Sequence, residues 1–338
     1  MIVGSGVVGC YLGKILGNQE IWEMKKQHTE KVCGGLFSKN IKKLDVDLSE
    51  SLLNEVKGAK FFSENENFEI KTNKTQAFVV DRFKFEETLI QDALNEGSKI
   101  KYGKKWKNES DDFVIGADGA LSSVAKSVGI KRNYLFTYQE VIELNEKKDA
   151  DFVELYFNDK FAPGFFGWWI PFNKKTGRIG IGTIKGNPKN YFDNFKKKFE
   201  IKKTKKTQSA LIPLFDGKKT VYGNKVLVGD AAAQTKTDTG GGVVFGLLAA
   251  EELKKAVDKG KVDDYEKLWR EKYFKDLKQH KLIWKYYKRV DKDKLFKLLK
   301  EKKVNELISK YGDMEDTSFI KNKIMKNPNL MIRLGLLL

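Results

Sequence analysis

Three glycines at the very start, Gly4, Gly6 and Gly9, limit what this chain can fold into more than any other feature. They follow the apolar pair Ile2-Val3 and open a helix-patterned stretch. An acidic residue, Glu23, closes the next apolar segment, Glu20-Ile-Trp-Glu23. Strand, Gly-x-Gly-x-x-Gly, helix, strand and acid form the dinucleotide-binding fingerprint in the context it requires. Gly4 permits the tight turn, Gly6 lets the backbone approach a pyrophosphate, and Gly9 lets the helix pack close to the strand. The helix start offers free N–H groups and a partial positive charge to phosphates. Glu23 can accept hydrogen bonds from ribose hydroxyls. The alternative, a glycine-rich turn with no ligand, would not demand all these parts in this order.

With 338 residues, 41% of them hydrophobic and 12% aromatic, the chain can build two closely packed domains. The net charge of +18 suggests nucleic acid, but only six of the 64 basic residues are Arg, the usual reader of bases and phosphates. The Lys residues are spread along the chain among Asp and Glu. A solvated Lys-rich surface is the plain reading, and attraction to an anionic membrane is the second. No nucleic-acid partner is expected. Two Cys, Cys10 and Cys33, and two His, His28 and His280, exclude a disulfide framework and an ordinary Cys/His zinc site, so no metal is expected. No apolar run reaches the roughly 18 residues of a membrane span, and no leader pattern precedes the first strand. A cytoplasmic protein is expected, with peripheral contact at the inner face of the membrane as a further reading.

Along the chain, residues 38–57 are expected to form a polar helix. Ala59–Phe62 and Phe68–Lys71 should pair as a hairpin, and Phe83–Asn95 has helical spacing. Phe113–Gly116 reads as a buried strand, and Ser122–Val128 as a short helix. Residues 134–183 look all-β, Tyr191–Phe199 helical, and Val221–Val228 returns to strands. A long helix runs from about Gly241 to Val257, and from Asp263 the chain is helical, basic and aromatic. The order implies an α/β dinucleotide domain interrupted by a separate sheet.

Further motifs carry a resemblance. Asp81-Arg82 before Phe85, Leu89 and Ala93, then Gly116-Ala-Asp118-Gly119, then Val228-Gly229-Asp230-Ala-Ala resemble, in order, motifs of FAD-dependent oxidoreductases of the p-hydroxybenzoate hydroxylase fold. Within that fold the chain resembles the geranylgeranyl reductase family. Lys31-Val-Cys33-Gly34-Gly35 is similar to its Lys-x-Cys-Gly segment. Phe166-Gly-Trp168-Trp-Ile170-Pro171 is similar to its aromatic lipid-contact signature, although Ile170 replaces the usual Phe. Gly229-Asp230 through Gly240-Gly241-Gly242 is similar to its long Gly-Asp segment. The likeness covers roughly residues 1–255.

The resemblance implies an α/β protein: an FAD-binding Rossmann-like domain (1–58, 76–133 and 221–260), a mainly antiparallel substrate sheet (59–75 and 134–220) and a C-terminal helical region (261–338). It implies FAD held by Gly4, Gly6, Gly9, Glu23, Cys33, Gly34, Arg82, Asp118, Gly119, Asp230, Gly241 and Gly242. It implies a catalytic Cys33 and a geranylgeranylated lipid against Phe166, Trp168 and Ile170. NADPH, a ferredoxin or a quinol would supply electrons. Cys33 would give a proton to the alkene, the alternative being a packed, inert thiol. Glycines 240–242 suit close approach of a flat ring. Strand alternation puts Phe166 and Trp168 on one face, which could line a long apolar groove, and Phe165 and Trp169 on the other. Residues 284–302 and 331–338 could lie on an anionic bilayer, or be the basic outer face of packed helices. Rival readings are an aromatic monooxygenase or halogenase on the same fold, and a non-catalytic flavin- or nucleic-acid-binding basic protein.

Overall fold

The computed structural model describes residues 1–108 and 113–337. Among these residues the chain forms three sheets and a helical C-terminal region. The first sheet has the order β15-β16-β9-β1-β2-β8. Its strands are β1 (Ile2–Val3), β2 (Glu20–Glu23), β8 (Lys99–Tyr102), β9 (Val114–Gly116), β15 (Val221–Tyr222) and β16 (Lys225–Leu227). All neighbours run parallel except the β15–β16 hairpin. Parallel pairing requires crossovers, which the helices supply. They are α1 (Val7–Leu16), α2 (Arg82–Asn95), α3 (Ser123–Ser127) and, following β16, α5 (Val243–Asp258). Val226 and Leu227 pair with Ile115 and Gly116, so the segment after residue 220 completes a sheet begun at residue 2.

A small sheet, β3-β7-β4, comprises β3 (Leu36–Ser38), β4 (Leu52–Val56) and β7 (Ala77–Val80). The polar helix expected over 38–57 is not there. Ser38 caps a single 3-10 turn, Lys39–Lys43, and residues 52–56 pair antiparallel with the fully buried β7. Asp47 folds back to accept from the amide and hydroxyl of Ser49, both at 2.8 Å, a local turn that competes with a helix. By contrast α2 forms where its spacing predicts. Asp81 caps it by accepting from the amides of Phe83 and Lys84, and Phe85, Leu89 and Ala93 face the core.

The third sheet, β14-β10-β13-β12-β11-β5-β6, contains β5 (Gly58–Phe62), β6 (Asn67–Lys71), β10 (Tyr134–Leu144), β11 (Phe152–Tyr156), β12 (Gly167–Pro171), β13 (Thr176–Thr183) and β14 (Ile201–Pro213). The expected β5–β6 hairpin is present. Only β5 and β11 pair parallel. β14 and β8 were not expected from the sequence. Their solvent-facing Lys residues mask the strand pattern, yet β14 pairs along the whole of β10. The helix expected at Tyr191–Phe199 starts earlier as α4 (Pro188–Lys196), because Asn187 caps it and Pro188 suits a first turn.

Residues 264–335 form α6 (Asp264–Trp269), a π turn at Arg270–Phe274, α7 (Lys275–Tyr287), α8 (Lys292–Lys300), α9 (Lys302–Tyr311), α10 (Ser318–Met325) and α11 (Pro328–Gly335). Trp284, Tyr287, Val290, Leu295 and Phe296 from this region share one apolar cluster with Phe166, Trp168 and Ile170. No helix is long and apolar enough to cross a membrane among the described residues.

Candidate functional site: a glycine-lined cleft beside a cysteine

The opening turn is built by close packing. Gly4 has φ +100°, and a Cβ there would stand 2.6 Å from the Ala117 carbonyl oxygen. A Cβ on Gly9 would stand 1.8 Å from the carbonyl oxygen of Gly4, so only glycine lets α1 approach β1 this closely. Gly6 occupies the N-cap of α1, and no side chain caps that helix. Its first amides are therefore left for another acceptor. The Lys31 ammonium stands 2.5 Å from the position a Gly6 Cβ would take. Glu23 is buried and accepts from the Ser5 amide (3.1 Å), the Ser5 hydroxyl (2.9 Å) and the Lys25 amide (3.0 Å). Burial pushes its carboxyl up, but the Lys25 amide, the Lys31 charge and Ser5 together hold it below the ordinary range.

Asp118 uses its carboxylate on its own chain. It accepts from the Ser122 hydroxyl (2.5 Å), the Ser123 amide (2.6 Å) and the Ser123 hydroxyl (2.7 Å) at the start of α3. What this segment brings to the cleft is backbone, with the Asp118 Cα 2.7 Å from the Gly4 Cβ position and Gly119 at φ +78°. Asp230 lies in a 3-10 turn that starts at Gly229 (φ +66°), and its Oδ1 is 2.9 Å from the Gly242 Cβ position. Burial raises its carboxyl, opposed by the charges of Arg82, Lys31 and Arg132. Gly242 caps α5 with no side-chain partner, so a second helix start faces the same cleft as α1. Gly241 lies beside the Lys236 stem, 2.9 Å from its Cβ position to Lys236 Cε.

Cys33 lies across this cleft. Arg82 is buried, bonds Glu86 at 2.5 Å, and its guanidinium lies beside the Cys33 sulfur. The Gly35 amide donates to Cys33 Sγ at 3.3 Å. The large sheet holds the segment from the other side. Gln139 on β10 donates to the Cys33 carbonyl at 2.9 Å and to Gln208 on β14 at 2.8 Å. Arg178 on β13 donates to the Gly34 carbonyl at 3.0 Å, and its guanidinium stacks on Phe172. Gly35, at φ +65°, is needed here: a Cβ would stand 2.4 Å from Arg178 Nη1 and 2.5 Å from the Val80 carbonyl. Cys10, in contrast, is buried in α1, donates to the Ser5 carbonyl, and burial pushes its thiol up to about 12.

The aromatic strand borders the same place. Ile170 Cδ1 is 3.2 Å from the Gly34 Cβ position, and the Gly240 Cβ position is 3.7 Å from Phe165. Trp168 and Ile170 share one face of β12 and Trp169 the other, as alternation requires. Phe165 departs from the expected alternation. It precedes β12 in a turn closed onto Ala162, and its ring stacks on Phe166 at 4.1 Å instead of lying with Trp169. The face bearing Phe166, Trp168 and Ile170 is also not an open groove. Trp284, Tyr287, Leu295 and Phe296 belong to the same apolar cluster, with Phe157 set between Phe166 and the rings of Tyr287 and Phe296, and all three residues of that face are buried. Residues 284–302, one of the stretches expected to face a bilayer, therefore turn their aromatic side inward. Leu338, in the other, lies outside the described residues.

Lys31, Arg178 and Gln139 belong to the cleft but were not singled out from the sequence. Lys31 stands in the Cys33 motif and could have been found there. Arg178 and Gln139 lie in ordinary strands, and only pairing brings them to residue 33. Among the described residues, the buried N–H groups without a hydrogen-bond partner include Arg82 Nε and Arg178 Nε beside this cleft. Orphan donors beside two uncapped helix starts fit an anionic, ring-bearing ligand such as FAD.

The fold is one shared with flavin-dependent oxidoreductases. The solved structures similar to the chain agree. A geranylgeranyl bacteriochlorophyll reductase-like protein from Thermoplasma acidophilum superposes with TM-score 0.80 at 22% identity, over 100% of this chain and 98% of that one. The flavin-dependent halogenase CmlS gives 0.64 at 13% identity, over 99% and 71%. Residues 133–216 match the geranylgeranyl reductase catalytic domain. A digeranylgeranylglycerophospholipid reductase of Methanosarcina acetivorans is 24% identical over 96% of this chain and 93% of its own. A geranylgeranyl diphosphate reductase of Synechocystis is 34% identical over 41% of this chain and 37% of its own. An uncharacterised protein of Methanocaldococcus jannaschii is 25% identical over 97% and 94%. The chain is thus similar to geranylgeranyl reductases along most of its length.

Proposed function

We propose that this protein is an FAD-dependent reductase that saturates isoprenoid double bonds of a membrane-lipid precursor. The carrying observation is the position of Cys33–Gly35, which touches Arg82 on the cofactor side and Ile170 on the apolar side. Gly4, Gly6 and Gly9 with Lys31 would hold the pyrophosphate, Glu23 a ribose, and Asp230 with Gly241 and Gly242 the flavin end. Reduced FAD, when bound, supplies a hydride to one alkene carbon. The chain must then deliver a proton to the other carbon, so that two hydrogens are added per bond. Cys33 is the donor, and its proton is replaced from solvent. Phe166, Trp168 and Ile170 hold the tail, and Trp284 and Tyr287 must shift to admit it. Water is kept from the reacting carbons by this aromatic cover.

The test is anaerobic. Purified protein should release FAD on heating. Dithionite-reduced protein should be reoxidised by a geranylgeranyl lipid, which gains two mass units per bond. Repeating the reaction with NADPH, ferredoxin or a quinol as reductant identifies the electron donor. No reaction with any prenyl lipid, together with oxygen-dependent hydroxylation or halogenation of an aromatic, would favour the rival chemistry of the fold.

A further inference from the structure

We propose that the outer side of α7, continued by α11, is a docking surface for an anionic lipid bilayer. The inner side of α7 is fixed by Leu277, His280, Trp284 and Tyr287, all buried. Its exposed positions are then Lys275, Lys278, Leu282, Ile283 and Lys285, with Lys288 and Arg289 just beyond the helix end. Among the described residues none of these basic residues forms a salt bridge; the acids that act on this side are Asp159, near Lys288, and the half-buried Asp276, beside Lys275. Leu282 is 54% exposed and Ile283 42%. Like charges crowd here. Burial and the neighbouring Lys185, Arg289 and Lys285, opposed by Asp159, hold the Lys288 amine below the ordinary range.

Tyr286 donates to the Leu334 carbonyl at 2.7 Å and so ties α11 beside α7. Here α11 presents Ile332, 62% exposed, and Leu336 follows it at 80%. Large apolar side chains on two adjoining helices, set among a majority of basic residues, match the chemistry of an interfacial helix pair. An acidic protein would answer the charge but gain little from Leu282, Ile283, Ile332 and Leu336. A second copy of the chain would bring a like-charged face. The bilayer answers both.

The location adds a reason. The Trp284 indole, on the inner side of α7, donates to the Gly164 carbonyl at 3.1 Å, in the turn leading to Phe165 and Phe166. The docked helix is therefore the same one that covers the aromatic face. Seating it on lipid would place that cover next to the tails. This route for the substrate rests on the reductase reading. The docking itself is measured without turnover.

The experiment uses the full chain loaded with FAD. It is sedimented with vesicles of phosphatidylcholine alone and of phosphatidylcholine mixed with phosphatidylglycerol, at low and high salt. The parent should bind the anionic vesicles at low salt and the neutral ones weakly. Leu282→Asp with Ile283→Asp, and separately Lys278→Glu with Lys285→Glu, should each weaken binding about tenfold or more. FAD content and melting temperature of these surface variants should match the parent. Failure of the parent to bind anionic vesicles overturns the proposal. So does unchanged binding by the Leu282→Asp, Ile283→Asp variant, which would leave only a polycation that an acidic protein or nucleic acid could satisfy. If vesicle binding follows the expected pattern while dispersed prenyl lipid is never reduced, the docking surface stands and the reductase reading falls.

Discussion

Cys33 is held by more groups than a packing residue needs. Gln139, Arg178 and the Gly35 amide fix its segment, and Arg82 faces its sulfur. Cys33→Ala should keep FAD and lose at least about tenfold in alkene turnover, the low side of what a general acid contributes. Cys10→Ala should turn over like the parent. Arg178→Gln should retain FAD, lower turnover about tenfold or more through misplacement of Cys33, and speed hydrogen exchange at residues 33–36. Arg178→Lys should recover part of both. Normal exchange and turnover in Arg178→Gln would show that Cys33 holds its place without it. Glu23 gives a pH test. Its carboxyl lies below the ordinary 4.5, so its stabilisation is present above that value and lost as pH falls through the lowered one. Glu23→Gln should lower the melting temperature by roughly 2–4 °C at neutral pH, and the gap from the parent should close in acid. A gap that widens on acidification would contradict the sign.

Between elements, the contact that stands out is a buried ion pair joining the far C-terminal segment to the glycine-rich one. Lys236, between Asp230 and Gly241, donates to the Glu315 carboxylate and the Met314 carbonyl, both at 2.8 Å. Asn40 bonds the same carboxylate at 2.7 Å, and His280 links Asp238 to the Glu315 carbonyl. Both charged side chains are under a tenth exposed. Removing one leaves the other buried and alone, so Glu315→Ala should cost about 3–5 kcal/mol in chemical unfolding. Lys236→Met with Glu315→Leu should recover most of that loss; equal losses for single and double variants would mean the pair is not coupled. None of this was legible in the sequence, where residues 236 and 315 are far apart and both charged. What was legible was local. The Gly4–Gly9 turn, the Asp81 cap with the Phe85–Leu89–Ala93 stripe, and the buried face of β12 announce themselves through spacing. Residues 52–56 misled because a strand one side of which meets solvent can look like a polar helix. β14 was hidden by its lysines. The aromatic face was readable as apolar, but its cover arrives from 120 residues away.

For the molecule as a whole, on the proposed function the aromatic layer sets how a lipid would enter. A tail replaces protein–protein contacts with its own, so affinity should grow with each isoprenoid unit at about 25 cal/mol per Å² of tail buried. Reoxidation of reduced protein by lipids of graded chain length should show a steadily rising Kd as the tail shortens, and small phenols should not compete. An affinity independent of tail length would place the tail outside this layer. One consequence of the sheet order concerns how the protein is made. β9 stays an unpaired edge until Leu227 arrives to lie beside Gly116. The roughly 110 residues between them take about 5–20 s to emerge from a ribosome. Throughout that interval the nascent half-sheet carries an open apolar border, Val114-Ile115, that any extended chain could zip onto. Yield in the cell should therefore depend on how fast the ribosome crosses the substrate sheet, and slow codons between residues 134 and 220 should send more of the product to aggregates than slow codons after residue 228.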